Sequence, residues 1–204
     1  MENTTNQAVF CGYMTKKPEF SHENHGRRFF RFLLEIPRLS GTEDLLPVVA
    51  AEELLAGAEA DGGALRVTGQ IRTFNSRTGE GRKLIISIFA DTIEPCDGEP
   101  ENTVILAGAV CKAPILRRTP LGRDICDIML AVSRKYHRTD YIPCILWGKT
   151  AQETAGLTVG SRLELHGRLQ SRNYLKVLTD RTEERTAYEV SVMEAFLLQE
   201  SNDF

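Results

Sequence analysis

The sequence predicts an all-β chain built from two tandem copies of one small barrel, each copy with a short helix. Residues 6–47 and 102–143 align at a constant spacing of 96 positions. Glycine and proline each mark particular backbone geometries, so their recurrence at one spacing indicates a repeated fold. In both copies, apolar and polar residues alternate with the period of two that is typical of half-buried strands. The aligned pairs are Gly12 and Gly108, Pro18 and Pro114, Gly26 and Gly122, Arg38 and Arg134, and Pro47 and Pro143.

The second copy predicts five strands and one helix. Its longest alternation starts at Ile125, and Gly160 ends the helical stretch. A charged loop is expected at 179–185, before the last strand. The predicted strands are 104–110, 125–133, 141–147, 162–169 and 188–197, and the predicted helix is 149–157.

The first copy gives the same order of elements. Gly69 and Gly167, which align after a shift of two positions, suit strands that bend sharply around a barrel. Two glycines within 75–81 predict a mobile hairpin tip. The predicted strands are 9–14, 30–36, 45–50, 65–71 and 84–93, and a helical insert is predicted at 50–60.

Three strands, a helix and two further strands within roughly 95 residues form the element order of the OB-fold. This five-stranded Greek-key barrel binds oligonucleotides or oligosaccharides on one face. Periodicity by itself leaves other small barrels open. The predicted domains are a first OB-fold at 1–95, an acidic linker at 96–101, a second OB-fold at 102–198 and a short tail at 199–204.

The net charge of −3 divides unevenly between the copies. Residues 1–99 hold 11 basic and 15 acidic residues, whereas residues 100–204 hold 14 basic and 13 acidic residues. A polyanion is therefore expected to bind at a local patch rather than through the global field. No apolar run approaches the ~18 residues of a membrane span. The polar N-terminus does not resemble a signal peptide, so we expect a cytoplasmic protein without membrane contact.

The five cysteines are scattered and form no Cys-x-x-Cys pair. We expect reduced thiols packed in a core or under a loop, as is usual in a cytosol. No ligand spacing of histidine and cysteine predicts a metal site. Neither Gly-x-Ser-x-Gly nor Gly-x-x-x-x-Gly-Lys is present, so the sequence predicts no enzyme and no cofactor.

Aromatic residues distinguish the second copy from the first. One face of strand 141–147 carries Tyr141, Pro143, Ile145 and Trp147, opposite three apolar residues that already form a sufficient core set. A small barrel has one interior, so the rings on the other face are expected to be exposed or to contact a partner. Tyr136 flanks the preceding loop, and Tyr174 lies near the end of the fourth strand.

Basic residues lie between these aromatics. Rings with interleaved cations suit single-stranded nucleic acid, because each unpaired base stacks with about 1–3 kcal/mol and each phosphate attracts a cation. A duplex hides its base faces, so such a surface favours single strands. The candidate phosphate ligands are Lys112, Arg117, Arg118, Arg123, Arg134, Lys135, Lys149, Arg168, Arg172 and Lys176.

Several runs of the second copy resemble the bacterial single-stranded DNA-binding protein family. They are the segments at 102–108, 119–122, 130–134, 139–142, 147–151, 160–161 and 167–172, and the resemblance extends over essentially all of 102–198. It implies sequence-tolerant binding of single-stranded DNA in replication, recombination and repair, without a chemical reaction. The family's stacking aromatics fall at Tyr136, Tyr141, Trp147 and Tyr174. Four OB-folds usually form one assembly in this family, which implies a homodimer of this chain, associated with a bacterial nucleoid.

The first copy resembles the family more weakly. Ser40, Leu45, Ala51 and Ser76 stand at the four stacking positions, so we expect a degenerate OB-fold that serves mostly for packing. Phe74 is a possible substitute for one stacking ring. In the first copy, the candidates for phosphate contacts are Arg27, Arg28, Arg72, Arg77, Arg82 and Lys83.

Two further readings stay open. The exposed aromatics and arginines also suit a protein adaptor of a primosome-like complex, because tyrosine, tryptophan and arginine are favoured at protein interfaces. Family members typically end in a flexible linker and an acidic tip that recruits replication and repair proteins. Residues 199–204 resemble that tip only faintly, so a frayed terminus is expected.

Overall fold

The computed structural model describes residues 5–56, 62–78, 81–177 and 181–198, and it is an all-β structure. The first half contains β1 (Asn6–Met14), β2 (Glu19–Asn24), β3 (Arg27–Pro37), β4 (Glu43–Ala51), a 3-10 helix (Glu52–Leu54), β5 (Ala64–Thr78) and β6 (Gly81–Pro95). The second half contains β7 (Glu101–Val110), β8 (Ile115–Arg118), β9 (Asp124–Arg134), β10 (Arg138–Trp147), α1 (Gly148–Ala155), β11 (Arg162–Val177) and β12 (Thr182–Leu197).

The described strands form one continuous sheet in the order β2-β3-β4-β6-β5-β1-β7-β11-β12-β10-β9-β8. Additional pairings of β1 with β3 and of β7 with β9 close each half into a barrel. Antiparallel pairing of β1 with β7 joins the barrels, with Ala8 opposite Val104. These two residues are themselves 96 positions apart, so the order of strands reads as a two-fold repeat about this pair. The predicted all-β OB-fold is confirmed.

Side-chain alternation places the core where the sequence predicts it. On β9, Cys126, Ile128, Leu130 and Val132 are buried, and β10 buries its apolar face in the same way. One prediction is wrong here. Ile145, expected on the open face of β10, is only 4% exposed. Ile145 pairs with Ser191 on β12, and the Ser191 hydroxyl accepts a hydrogen bond from the Trp147 indole, so the indole lies beside Ile145.

The element boundaries differ from the predictions where side chains are exposed. β2 and β8 were not predicted, because almost all their residues face solvent and leave no alternation to detect. β12 begins at Thr182, so most of the predicted charged loop belongs to a strand. The hairpin tip predicted at 75–81 is strand on both sides, and 79–80 lie outside the described residues. The predicted helical insert is a short 3-10 helix, and 57–61 also lie outside the described residues.

Two glycines allow the bends that close the barrels. Register shifts occur next to Gly69 in β5 and next to Gly167 in β11. A Cβ at Gly167 would lie 2.4 Å from the carbonyl oxygen of Ser191, and a Cβ at Gly69 would lie 2.1 Å from that of Phe89. Both strands therefore approach their neighbours too closely for any side chain, and the register shifts lie at the two predicted bends.

The prediction of five reduced thiols is wrong. Cys11 and Cys96 form a disulfide across 85 positions of sequence. Cys11 of β1 pairs with a residue of β5, and the backbone N–H of Cys96 donates to the carbonyl of Ala64 at the start of β5 (3.0 Å). The two cysteines therefore meet because β1 and the end of β6 flank the same strand. Sequence spacing does not reveal this contact.

Candidate nucleic-acid interface

All four predicted stacking residues carry exposed side chains. Tyr136 in the β9–β10 turn is 90% exposed, Tyr141 and Trp147 of β10 are 44% and 40% exposed, and Tyr174 of β11 is 38% exposed. A ring that is held on one side and open on the other is suited to stacking on a base. The role of these rings in binding stays a prediction.

Trp147 is held at the end of β10, next to the first residue of α1. Its indole Nε1–H donates a hydrogen bond to the Ser191 hydroxyl at 3.1 Å. This bond restricts the rotation of the indole about its side-chain torsions. Ser191 was not predicted as a site residue, and only the pairing of β10 with β12 reveals it.

The first half anchors the strand that presents Tyr141. The backbone N–H of Tyr141 donates to the Thr73 hydroxyl at 2.9 Å. The backbone N–H of Thr73 in turn donates to the carboxylate of Asp140, at 2.8 Å. Asp140 is 1% exposed and also forms an ion pair with Arg134 at 3.6 Å. The position of Tyr141 therefore depends on contacts that cross between the two halves.

Tyr174 and Arg172 lie two residues apart on β11. The guanidinium carbon of Arg172 lies 5.8 Å from the centre of the Tyr174 ring, within the range of a cation–π contact. Arg172 also lies 3.8 Å from the Glu189 carboxylate of β12. A ring and a cation are thus placed together, as expected for a site that binds bases and phosphates.

Tyr136 occupies a backbone conformation that bulky residues rarely adopt. Its φ is +62°, and His137 follows with φ +53°. The left-handed region costs about 1–2 kcal/mol for a residue with a Cβ. Glycine would fit this turn without that cost, so the strained tyrosine points to a role for its exposed ring.

Five of the predicted phosphate ligands form ion pairs with neighbouring carboxylates that reduce the charge available to a phosphate. The hydrogen bond that Arg117 donates to the Asp127 carboxylate raises the pKa of Arg117, for example. The pairs are Arg117 with Asp127 (2.5 Å), Arg118 with Asp124 (3.0 Å), Arg134 with Asp140 (3.6 Å), Lys149 with Glu153 (3.3 Å) and Arg172 with Glu189 (3.8 Å).

The remaining predicted ligands lie on loops and on β11. Lys112 follows β7, Arg123 precedes β9, and Lys135 lies in the β9–β10 turn. Arg168 and Lys176 belong to β11. Lys112, Arg123, Lys135 and Arg168 are exposed, and Lys176 is half-buried. These cations therefore lie on four different segments of the second half.

Comparison with known proteins identifies the family. A model of the single-strand binding protein family matches residues 101–198. Single-stranded DNA-binding protein B of Bacillus subtilis is 39% identical in an alignment that covers 36% of this chain and 71% of that relative. The chain belongs to the single-strand binding protein family. Single-stranded DNA-binding protein of Bacillus cereus is 41% identical, over 36% of this chain and 47% of that relative.

The likeness at the level of structure extends beyond the matched half. The wild-type single-stranded DNA binding protein from Thermus aquaticus superimposes with a TM-score of 0.77 and 22% sequence identity, over 96% of this chain and 94% of that chain. At this identity the comparison establishes the fold of both halves. The chain spans about half the length of the first curated relatives that it matches.

The described residues include no helix that is long and apolar enough to cross a membrane. The one α-helix among them, α1, has 8 residues.

Proposed function

We propose that this chain binds single-stranded DNA with little dependence on sequence and without catalysing a reaction. The observation that carries the proposal is the exposure of Tyr136, Tyr141, Trp147 and Tyr174 on the half that the family model matches. Unpaired bases stack on such rings with about 1–3 kcal/mol each. Membership of the family supports a role in DNA replication, recombination and repair in a bacterial cytoplasm, at the nucleoid.

The proposed site follows the second half, from the β9–β10 turn to the end of β11. Bases stack on the four rings, and phosphates contact the cations on the same surface. Residues 102–198 act as the principal DNA-binding domain, and residues 1–95 act mainly in packing and assembly. A short linker at 96–101 joins them.

We also propose that two chains associate into an assembly of four OB-folds. Because each chain contains two OB-folds, a homodimer contains four. Measurement of the mass in solution by light scattering, with and without oligo-dT, tests this proposal. A mass near 23 kDa under both conditions contradicts it, because the monomer has a mass of 22.8 kDa.

Fluorescence of Trp147 tests the binding function directly, because it is the only tryptophan in the chain. Addition of oligo-dT is expected to quench the emission, whereas a duplex of the same length has a smaller effect at equal concentration. The Ser191→Ala variant provides a control, since it removes the hydrogen bond to the indole but keeps the ring.

Salt dependence supplies the second part of the test. Affinity is expected to fall as salt rises, with a log–log slope of about −0.7 per neutralised phosphate. Unchanged emission at saturating oligo-dT and low salt contradicts stacking on Trp147. If oligo-dT does not bind at all, the proposed function is wrong, and the adaptor function is the alternative that is tested next.

A further inference from the structure

A large cleft lies where the two halves meet. Its volume is about 1010 Å³, and both halves contribute to its walls. The first half provides the β2–β3 turn and β5, and the second half provides the β9–β10 hairpin. Four cations line the cleft: Arg72, Arg134, Lys135 and Arg138. The Asp140 carboxylate also belongs to its wall, but it is buried and already bonded to Thr73 and Arg134.

Arg72 is held in this cleft in a fixed orientation. Its guanidinium carbon lies 3.9 Å from the centre of the Phe89 ring, and one terminal nitrogen donates to the Gln70 side-chain oxygen at 3.2 Å. Its Nε is buried and has no hydrogen-bond partner among the described residues. Burial, followed by the charge of Arg134, lowers the pKa of Arg72 below its usual value. An anion in the cleft would stabilise this arrangement of like charges.

The two-fold repeat supplies an internal comparison. On the opposite side of the β1–β7 junction, the Ser171 backbone N–H donates to Asp44 at 2.7 Å, and Arg38 donates to the same carboxylate at 2.8 Å. These residues correspond to Thr73, Asp140 and Arg134 in the repeat. The halves therefore pack through the same carboxylate and arginine on both sides.

The additional cations are present on one side only. At the positions equivalent to Arg72, Lys135 and Arg138, the repeat carries neutral residues, and Tyr136 is likewise replaced. Packing of the halves does not require these charges, since the opposite junction forms without them. The equivalent residues are Gln170, Leu39, Thr42 and Ser40, respectively.

We propose that this cleft binds the phosphodiester backbone of single-stranded DNA where the strand passes between the two halves. Arg72 and Arg138 contact successive phosphates, and the ring of Tyr136 at the rim contacts a base. The first half then takes part in binding through its own arginine. This inference rests on the proposed binding of single-stranded DNA and adds a phosphate site that the two halves share.

The test replaces Arg72 and Arg138 by the neutral residues at the equivalent positions of the repeat. The resulting double variant, Arg72→Gln with Arg138→Thr, is called the cleft variant. Binding to fluorescein-labelled oligo-dT is measured by anisotropy over a range of salt concentrations. We expect affinity to fall by about tenfold or more, because charge-assisted hydrogen bonds are lost. The log–log salt slope is expected to become shallower by about 1.4, which corresponds to two phosphates.

Two comparisons isolate the phosphate contact. Arg31→Gln removes a charge on β3 that pairs with Glu19 at 3.3 Å and does not line the cleft, so its affinity is expected to match that of the wild type. An oligomer of abasic deoxyribose phosphates keeps the charges and lacks the bases. The cleft variant is expected to lose affinity for this oligomer too, whereas Tyr141→Ala with Trp147→Ala leaves it nearly unchanged.

The outcomes separate this inference from the proposed function. If the aromatic double variant loses binding to oligo-dT while the cleft variant matches Arg31→Gln, the cleft inference is wrong and the function stands. If pyrophosphate raises the Tm of the wild type but not of the cleft variant, and both bind oligo-dT equally, the cleft takes a free phosphate and the inference is also wrong. Arg138 is exposed, so the single variant Arg138→Thr is expected to fold. If Arg72→Gln prevents folding, this single variant repeats the test with half the change in the log–log salt slope.

Discussion

Removal of the two rings of β10 tests the stacking surface most directly. In the variant Tyr141→Ala with Trp147→Ala, each lost ring removes about 1–3 kcal/mol of base stacking. The two together remove about 2–6 kcal/mol, so the Kd for oligo-dT is expected to rise by about 30-fold to 10⁴-fold. Anisotropy of a labelled oligo-dT measures this change at fixed salt.

The structure also sets the cost to stability that must be separated from the loss of binding. Trp147 loses one hydrogen bond to Ser191, worth about 1 kcal/mol. Both side chains are less than half exposed, so their truncation also removes packing. Urea unfolding of the same variant shows whether it is folded at the temperature of the binding assay.

A tyrosine of the first half provides the matched control. Tyr13 is 41% exposed, close to the 44% of Tyr141, but it lies on β1 near the junction with the linker. Tyr13→Ala is expected to leave the Kd within about twofold of the wild type, because Tyr13 lies outside the proposed site and such surface substitutions change free energies by only about 0.5 kcal/mol. Equal losses in Tyr13→Ala and in the double variant would refute the assignment of the site to β10.

Two further predictions concern backbone geometry. Gly167→Ala places a Cβ 2.4 Å from a backbone carbonyl, so the free energy of unfolding measured in urea is expected to fall by more than about 3 kcal/mol; a loss below 1 kcal/mol contradicts the close approach. Tyr136→Gly removes the strain of a positive φ and is expected to stabilise the fold by about 1 kcal/mol while weakening binding to oligo-dT; a destabilised variant contradicts the strained turn.

The sequence predicted most of what depends on local pattern. Alternation identified the buried residues of β9 and β10, because a half-buried strand must place apolar side chains on one face. The spacing of glycines predicted the repeat and two bends, because only glycine fits where the backbones touch. The same alternation predicted that the rings of Tyr141 and Trp147 are exposed, whereas Tyr136 and Tyr174 were identified from their places in the sequence and from the family resemblance.

Contacts between distant strands could not be predicted in this way. β2 and β8 have no buried face, and the disulfide joins residues 85 positions apart. The ion pair of Arg117 with Asp127 forms across the pairing of β8 with β9, and because β8 was not predicted, the arginine was assigned to phosphate binding alone. Arg72 was recognised as a candidate cation, but its place beside Arg134 depends on how the halves dock.

The same docking gives one residue of the first half a measurable role in positioning Tyr141. Thr73 accepts the Tyr141 backbone N–H at 2.9 Å, and Ser171 accepts the equivalent N–H of Leu45 at 3.1 Å on the opposite side. Thr73→Val and Ser171→Ala each leave one buried or half-buried N–H without an acceptor, so each is expected to destabilise the fold by about 1–3 kcal/mol.

Binding distinguishes the two variants because only one of these contacts supports a predicted stacking ring. Thr73→Val is expected to weaken binding to oligo-dT several-fold, since the start of β10 is no longer fixed. Ser171→Ala is expected to leave the affinity for oligo-dT unchanged. Quenching of Trp147 at saturation stays unchanged in both, because the indole is held separately by Ser191. If the two variants lose stability equally and also lose affinity equally, Thr73 acts through general stability. A loss of affinity confined to Thr73→Val instead means that the first half positions the aromatic surface of the second.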